Sequence, residues 1–459
     1  MKTLHIKSII AALAVSCSLS ASAQALHTGY FLEGMVQRHE LNAAFGGETN
    51  FIVVPGLGGL GLSATTNFGL SNFVFKNGDN LALGLSSQVK AEDFLNNLPV
   101  NNQLELNLQV PILSVGFRAF GGFNTLTIKE RTFVGANVPS SLFRFLKLGA
   151  DPTTGIAKYD IENITVNTNN FVELALGHSR SLPALEGFSY GAKAKFLVGV
   201  FNANLSVDKL NIELSDQRWL INAQGHMAIS SGITPVINEN GSLSSINTGN
   251  LTLGGYGFSV DLGAVYTPAA LPELTVSLGL NDLGFISWNN MAVVNLKNRF
   301  EYAGLHKLDE TIEGQVNDLI DNVSSLLQLE PGAPTNQSRM LQTTLNVAAE
   351  YSILNRRISF GLLSSTRFGA PYTYAEGMAV VNFRPLNWLQ IALNGSVSTQ
   401  GAAVGGLISI CPNGVNLFLG CDYVSPNMKF SKEGIPLYGT RMSLRSGIVI
   451  VFGKDKSKY

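Results

Sequence analysis

The sequence predicts an all-β protein, a transmembrane antiparallel β-barrel of about 14 strands with one amphipathic helix in a loop. Three observations point there. Apolar residues recur at every second position in many segments, charge is scarce, and no stretch beyond the N-terminal leader is apolar enough for a membrane helix. Charged residues make up 14% of the 459, against about 25% in an ordinary soluble domain. The net charge of −1 excludes an electrostatic nucleic-acid binder and a long charged tail.

Taken in chain order, Lys2 and Lys7 precede the apolar run Ile9 to Val15, and Ala21-Ser22-Ala23 supplies small residues for cleavage. Residues 1–23 therefore read as a secretory signal peptide, with Gln24 the first mature residue. Cys17 after Ala14-Val15-Ser16 offers a lipoprotein alternative, but Ala14 stands where a larger aliphatic is usual. An exported, charge-poor chain without a helical span hides its membrane surface best by dispersing it over strands.

Leu104, Leu106, Leu108, Val110 and Ile112 alternate with Glu105, Asn107 and Gln109, which puts the aliphatics on one face and leaves the other wet. Leu274, Val276, Leu278 and Leu280 repeat the pattern, as do Met442, Leu444, Ile448, Ile450 and Phe452 against Arg441, Ser443 and Arg445. A sandwich strand would alternate in the same way. Number and length favour the barrel, with about 14 segments of roughly 9 to 12 residues, long enough to cross a bilayer when tilted.

Turn chemistry orders the C-terminal half. A two-residue Asn413-Gly414 turn pairs Ile410 with Leu417 and Ile408 with Leu419, keeping both apolar sets on one side. Further short turns fall at Leu354 to Arg357 and Arg384 to Asn387, whereas connections such as Ser425 to Leu437 are longer and polar. That asymmetry is the one expected of periplasmic turns and outer loops. The last strand ends at Phe452, leaving 454–459 as a periplasmic tail. Leu305, Leu308, Ile312, Val316, Leu319, Ile320, Val323 and Leu327 follow helical spacing, so a helical insertion at about 305–329 interrupts a barrel spanning 66–453. The count does not close everywhere. An even number of strands must lie between the turns near Pro183 to Glu186 and Pro268 to Glu273, yet three segments read there, so fourteen is uncertain by about two.

Motifs for chemistry are weak. Gly56-Leu57-Gly58-Gly59-Leu60-Gly61 satisfies G-x-G-x-x-G but no helix follows it, so these glycines read as close backbone packing or tight turns. Gly177-His178-Ser179-Arg180-Ser181 lacks the last glycine of a nucleophile elbow, and His178 falls on its strand's apolar face. The histidines show no metal-binding spacing. No enzyme activity, cofactor or metal is expected. The hairpin register sets Cys421 opposite Gly406 and points Cys411 the other way, so no disulfide is expected. Glu173 and Lys195 lie on the polar faces of consecutive segments and about opposite one another, and Lys193 and Asp261 share their parity. These four are the candidate lumen polar residues, with a structural ion pair weighed ahead of a ligand site. Trp219, Trp288 and Trp388 fall near strand ends, where an interfacial girdle is the default.

Three stretches carry a resemblance. They are Tyr30-Phe31-Leu32-Glu33-Gly34 with Arg38 to Phe45, Val172 to Arg180 with Gly191 to Leu197, and Gly257 to Gly263 with Asn281 to Trp288. The run from Arg384-Pro385 through Asp422 also fits. Together these stretches resemble a family of outer-membrane barrels of unassigned function found in Bacteroidota, itself similar to FadL-type and PorV/PorP-type barrels. The resemblance implies an N-terminal segment, residues 24–65, tucked into the lumen as a hatch. Where relatives usually carry Asn-Pro-Ala, this chain has Asn42-Ala43-Ala44. It implies no agreed substrate and no catalytic residues. The expectation is a passive channel, or a binding and uptake protein, for small molecules, hydrophobic ones included. The alternative is a non-transporting scaffold for envelope or secretion-system partners. Outer-membrane lipid is a partner in either case, and nucleic acid in neither.

Overall fold

In the computed structural model the described residues are 3–5, 26–47, 49–77, 80–149, 157–214, 219–238, 243–248, 252–296, 299–302, 329–369, 371–412, 414–425, 428–429, 431 and 436–453. The leader, the tail 454–459 and the helical insertion at about 305–329 lie almost wholly outside them.

Fourteen strands close into one antiparallel barrel. They are β1 Asn50–Thr66, β2 Asn101–Ala119, β3 Gly122–Pro139, β4 Ala157–Ser181, β5 Phe188–Leu214, β6 Gly255–Tyr266 and β7 Leu274–Leu296, followed by β8 Thr343–Ile353, β9 Ile358–Phe368, β10 Tyr374–Leu386, β11 Leu389–Ser398, β12 Gly401–Ile410, β13 Val415–Val424 and β14 Thr440–Phe452. Each pairs with its neighbours in sequence, and the ring closes where β1 meets β14, Asn50 opposite Phe452 and Thr66 opposite Thr440. Ile410 lies opposite Leu417 and Gly406 opposite Cys421, as the turn chemistry requires, and no disulfide joins Cys411 to Cys421.

The extra segment between the two short turns is Trp219–Ile229. β5 parts from β6 beyond Gly199 and continues beside this strand, Leu214 opposite Trp219, so the segment extends the wall beyond the ring and does not cross. β4 and β5 run for 25 and 27 residues, where about 10 suffice to span a bilayer. Their outer halves carry a separate apolar core of Ile161, Leu210, Ile212 and Ile221, closed by Phe145 of the helix Ser140–Leu148. The short loop helices Ala91–Asn96 and Ser140–Leu148 were not among the sequence expectations.

The alternation reads out as a lipid-facing exterior. Leu174, Leu176, Leu278, Leu444, Ile448 and Ile450 are exposed, while their odd-numbered neighbours point inward. Phe196 and Tyr256 stack at 6.0 Å near one edge of the apolar band, beside exposed Phe258 and Phe285. Tyr190, Tyr351, Phe383, Trp388 and Phe452 mark the other edge, which is the arrangement of two aromatic belts. Trp288 does not belong to them. It is 1% exposed and packs inside with Phe171, Leu197 and Met291, which corrects the girdle assignment. The backbone of Trp219 pairs with Leu214 and Tyr302 in the outer extension.

Residues 26–47 fill the turn end of the lumen. Two 3-10 turns, His27–Gly29 and Val36–Glu40, compact the segment. Leu26, Tyr30, Phe31, Leu32, Met35 and Leu41 pack against the inward Phe51, Met378, Leu407 and Val449. The expected boundary at residue 65 is corrected by the strand pairing. Asn50–Thr66 belongs to the wall, because its backbone completes the ladders of β2 and β14. Between Val53 opposite Val449 and Gly58 opposite Gly447, residues 54–57 stand against Ile448 alone, so the glycine-rich run forms an enlarged bulge. Gly59 has φ +142°, and a Cβ on Gly447 would come within 2.6 Å of the Gly59 nitrogen.

Candidate functional site

Glu173, Lys193, Lys195 and Asp261 are all buried inside the ring. β4 and β5 place Glu173 opposite Leu197 and Lys195 opposite Ala175, so the two are diagonal and stand 3.9 Å apart. The short contacts go elsewhere. Lys195 Nζ lies 2.6 Å from Asp261 Oδ1 and 2.6 Å from Asp282 Oδ1. Arg131 donates to both Asp282 oxygens at 2.9 Å and to Glu173 Oε2 at 2.9 Å. Lys129 lies 3.5 Å from Glu173 and 3.6 Å from Glu40 of the N-terminal segment, and Arg445 donates to Glu40 at 3.0 Å.

Lys193 takes a different role. Although Asp261 sits directly across the ladder, the Lys193 ammonium donates to His39 Nδ1 at 2.9 Å and also to the His39 carbonyl. Burial and the adjacent Lys193 charge push the His39 pKa well below its usual 6.5. Burial alone would raise Glu40, but Arg445 and Lys129 hold it well below the carboxylate range.

Asp282 was not among the sequence candidates, because strict alternation from Leu278 and Leu280 points it at lipid. The chain inserts a bulge there. Val260 pairs with Leu283 and Leu262 with Leu280, so Asp261 faces both Asn281 and Asp282. Asp282 has φ +59°, in the left-handed region that aspartate tolerates at a cost of about 1–3 kcal/mol. Its backbone N–H donates to Asp261 Oδ1 at 2.8 Å. The bulge turns Asn281 and Asp282 inward together and moves the inner face to even-numbered positions, which also explains the buried Trp288. The signal was present in the sequence as exposed-type Leu283 and Phe285, whose parity is opposite to that of Leu278 and Leu280.

A second cluster fastens the start of the N-terminal segment. Asp422 accepts from the backbone N–H groups of His27 and Thr28 at 2.8 and 2.6 Å and from the Thr28 hydroxyl at 2.6 Å. Glu376 accepts from Tyr423 at 2.9 Å and Arg441 at 2.7 Å, and stands 3.2 Å from His27 Nδ1. Burial alone would lower the His27 pKa, but Glu376 and Asp422 outweigh it and raise it above 6.5. Further along, Asn42 Nδ2 donates to the Leu278 carbonyl at 3.1 Å, while its Oδ1 accepts from Ala44 N–H at 2.9 Å. At the turn rim Glu33 pairs with Arg356 at 2.7 Å and Arg384 at 3.3 Å.

Above the N-terminal segment the lumen holds a chamber of about 70 Å³, with Leu41 on its floor and Gln109, Lys129, Asn281, Asn346 and Arg367 around it. Its lining is polar. The hollow of about 830 Å³ at Leu278, Leu362, Gly377 and Val397 lies on the lipid-facing exterior. A third, of about 340 Å³, opens at the turn rim between Met35, Phe45, Gln390 and Cys411. Among the described residues no group of three or more histidine, cysteine, aspartate or glutamate side chains is placed to hold a metal.

Comparison with solved structures finds distant likenesses. The Ralstonia pickettii toluene transporter TbuX is 8% identical with a TM-score of 0.43, covering 95% of this chain and 96% of that one. A structure of the Pseudomonas putida toluene transporter TodX is 9% identical with a TM-score of 0.40, covering 91% and 94%. A Pseudomonas aeruginosa FadL homologue is 10% identical with a TM-score of 0.35, covering 94% and 96%. At these identities the likeness concerns chain course alone. No curated protein matches the sequence. The model of DUF5723, a family of unknown function, matches residues 43–422, and the chain belongs to that family.

Proposed function

We propose that the protein is an outer-membrane barrel that admits small molecules past a movable N-terminal hatch. One observation carries this reading. Residues 26–47 occupy the lumen without joining the sheet, held by apolar packing, ion pairs and side-chain hydrogen bonds such as those of Asp422 and Asn42, none of them a backbone ladder. Side chains alone fill a ring of about eight strands. A ring of fourteen needs a plug, and a plug separable from its wall is what a gate requires. Each hydrogen bond of this kind nets only about 1 kcal/mol against water, whereas the shared apolar core is the larger hold that opening would have to break. The exported leader and the two aromatic belts support placement in the outer membrane. The polar chamber favours polar solutes over hydrophobic ones, since among the described residues the large apolar hollows, at Leu278 and Leu362 and at Leu176 and Leu262, lie on the exterior.

The filled lumen and the separately packed outer cap favour a second reading, a non-conducting scaffold for envelope partners. Liposome flux separates the two. In a Cys411→Ser, Cys421→Ser background, Gly34→Cys with Gln390→Cys places thiols where the hatch touches β11. Uptake requires solute flux in the reduced protein that is blocked on oxidation and restored on reduction. Inserted protein that passes no solute in either state sinks uptake and leaves the scaffold.

A further inference from the structure

We propose that the lumen chamber binds a small oxyanion that also carries a hydroxyl, hydrogen phosphate and bicarbonate being the simplest. Charge alone does not choose the ligand. Four cations, Lys129, Arg131, Lys195 and Arg367, border the chamber against two carboxylates, Glu40 and Asp282. Both carboxylates are already engaged, Asp282 by Arg131 and Lys195 and Glu40 by Arg445. Glu173, Asp261 and Glu105 stand against these cations from just outside the lining, so the charges come close to balance and what selects a ligand is the hydrogen bonding left over.

The ground is unmet hydrogen bonding. Arg367 is 5% exposed and gives one NH2 bond to Glu105 at 2.6 Å, leaving its Nε and NH1 buried without partners. Lys129 makes only the long contacts of 3.5 and 3.6 Å. On the acceptor side, Gln109 Oε1, Asn281 Oδ1 and Asn346 Oδ1 are buried and unpartnered. Both asparagines donate through Nδ2 to the Leu41 carbonyl, at 2.8 and 3.0 Å, so neither amide can flip without losing that bond. Orphaned buried groups of this kind call for a partner. A halide would serve the donors and leave three oxygens unmet. An oxyanion with a hydroxyl offers acceptors to Arg367 and Lys129 and a donor to an amide oxygen. A chamber of about 70 Å³ admits a molecule of about five heavy atoms, since each water needs about 10–15 Å³ of such space. Arg131, its side chain 21% exposed, is the most accessible of the four cations.

The inference stands whether or not the hatch moves, because binding is read on full-length protein in detergent. Calorimetric titration with sodium phosphate, sodium bicarbonate and sodium chloride at matched ionic strength should give saturable binding of phosphate or bicarbonate and none of chloride. Arg367→Gln should weaken it at least about tenfold. Gln109→Leu, at a side chain whose Oε1 has no partner to lose, should weaken it severalfold while the anion-free melting temperature stays put, and so keeps the test decisive if Arg367→Gln fails to fold. Absence of saturable binding, chloride binding as tightly as the oxyanions, or affinity unchanged in Gln109→Leu would each overturn the proposal.

Discussion

The Lys193 ammonium donates to His39 Nδ1 at 2.9 Å, a bond that only a neutral imidazole can accept. A wall lysine thereby contacts a histidine of the N-terminal segment. His39 stays neutral when folded and titrates near 6.5 when unfolded, so the unfolded chain binds the extra proton. Stability is present above pH 6.5 and is lost as pH falls below it. Between pH 7 and 5 the loss should be about 2 kcal/mol, and His39→Gln should flatten that acid limb in unfolding measured across pH.

His27 should show the opposite sign. Its folded pKa is raised by Glu376 and Asp422 on the strands that face it, with Tyr423, Arg441 and Arg367 nearby. Its contribution is therefore complete below pH 6.5 and disappears as pH rises through the folded value. Protection of the residue 27 and Thr28 amides, corrected for the intrinsic base-catalysed exchange rate, should fall over that window in the native protein, and the fall should be absent in His27→Asn.

Lys195 stands between two carboxylates, Asp261 and Asp282. Lys195→Met strands buried negative charge and should cost about 3–5 kcal/mol. Adding Asp261→Asn should recover part of it, and a double-mutant cycle by denaturant unfolding reads the coupling. Additive effects would show that the two groups do not interact.

Asn42 is fully buried and ties the N-terminal segment to β7 through the Leu278 carbonyl. Asn42→Ala should lower stability by about 1–3 kcal/mol and raise protease sensitivity within residues 26–47, leaving the β-sheet circular dichroism unchanged.

Trp288 and Trp388 should part company. Trp288→Ala empties a packed interior site and should cost about 3–5 kcal/mol, whereas Trp388→Ala at the lipid edge should cost far less. Brominated lipid should quench Trp388 fluorescence and spare Trp288.

The sheet was legible because its physics is local. Alternation at Leu174 and Leu176, or at Leu444 and Ile448, assigns a face residue by residue, and the Asn413-Gly414 turn sets a register within a few positions. What was missed follows from single insertions that local rules do not see. One bulge at Asp282 hid an ionisable group from the lumen list and moved Trp288 from girdle to interior. Arg441 and Arg445 were on the wet face in the sequence, but their partners Glu376 and Glu40 lie far away in the chain, so pairing had to await the fold. The start of the wall at Asn50 was hidden because the bulged, glycine-rich β1 lacks a clean alternation.

The seam between β1 and β14 joins the two ends of the barrel's chain, Asn50 with Phe452. Loop-closure entropy makes such a contact the costliest to form first and delays it until intervening hairpins have shortened the gap. Ring closure therefore waits on the last strand, which makes a C-terminal truncation that removes part of β14 more damaging to assembly than its few lost residues suggest.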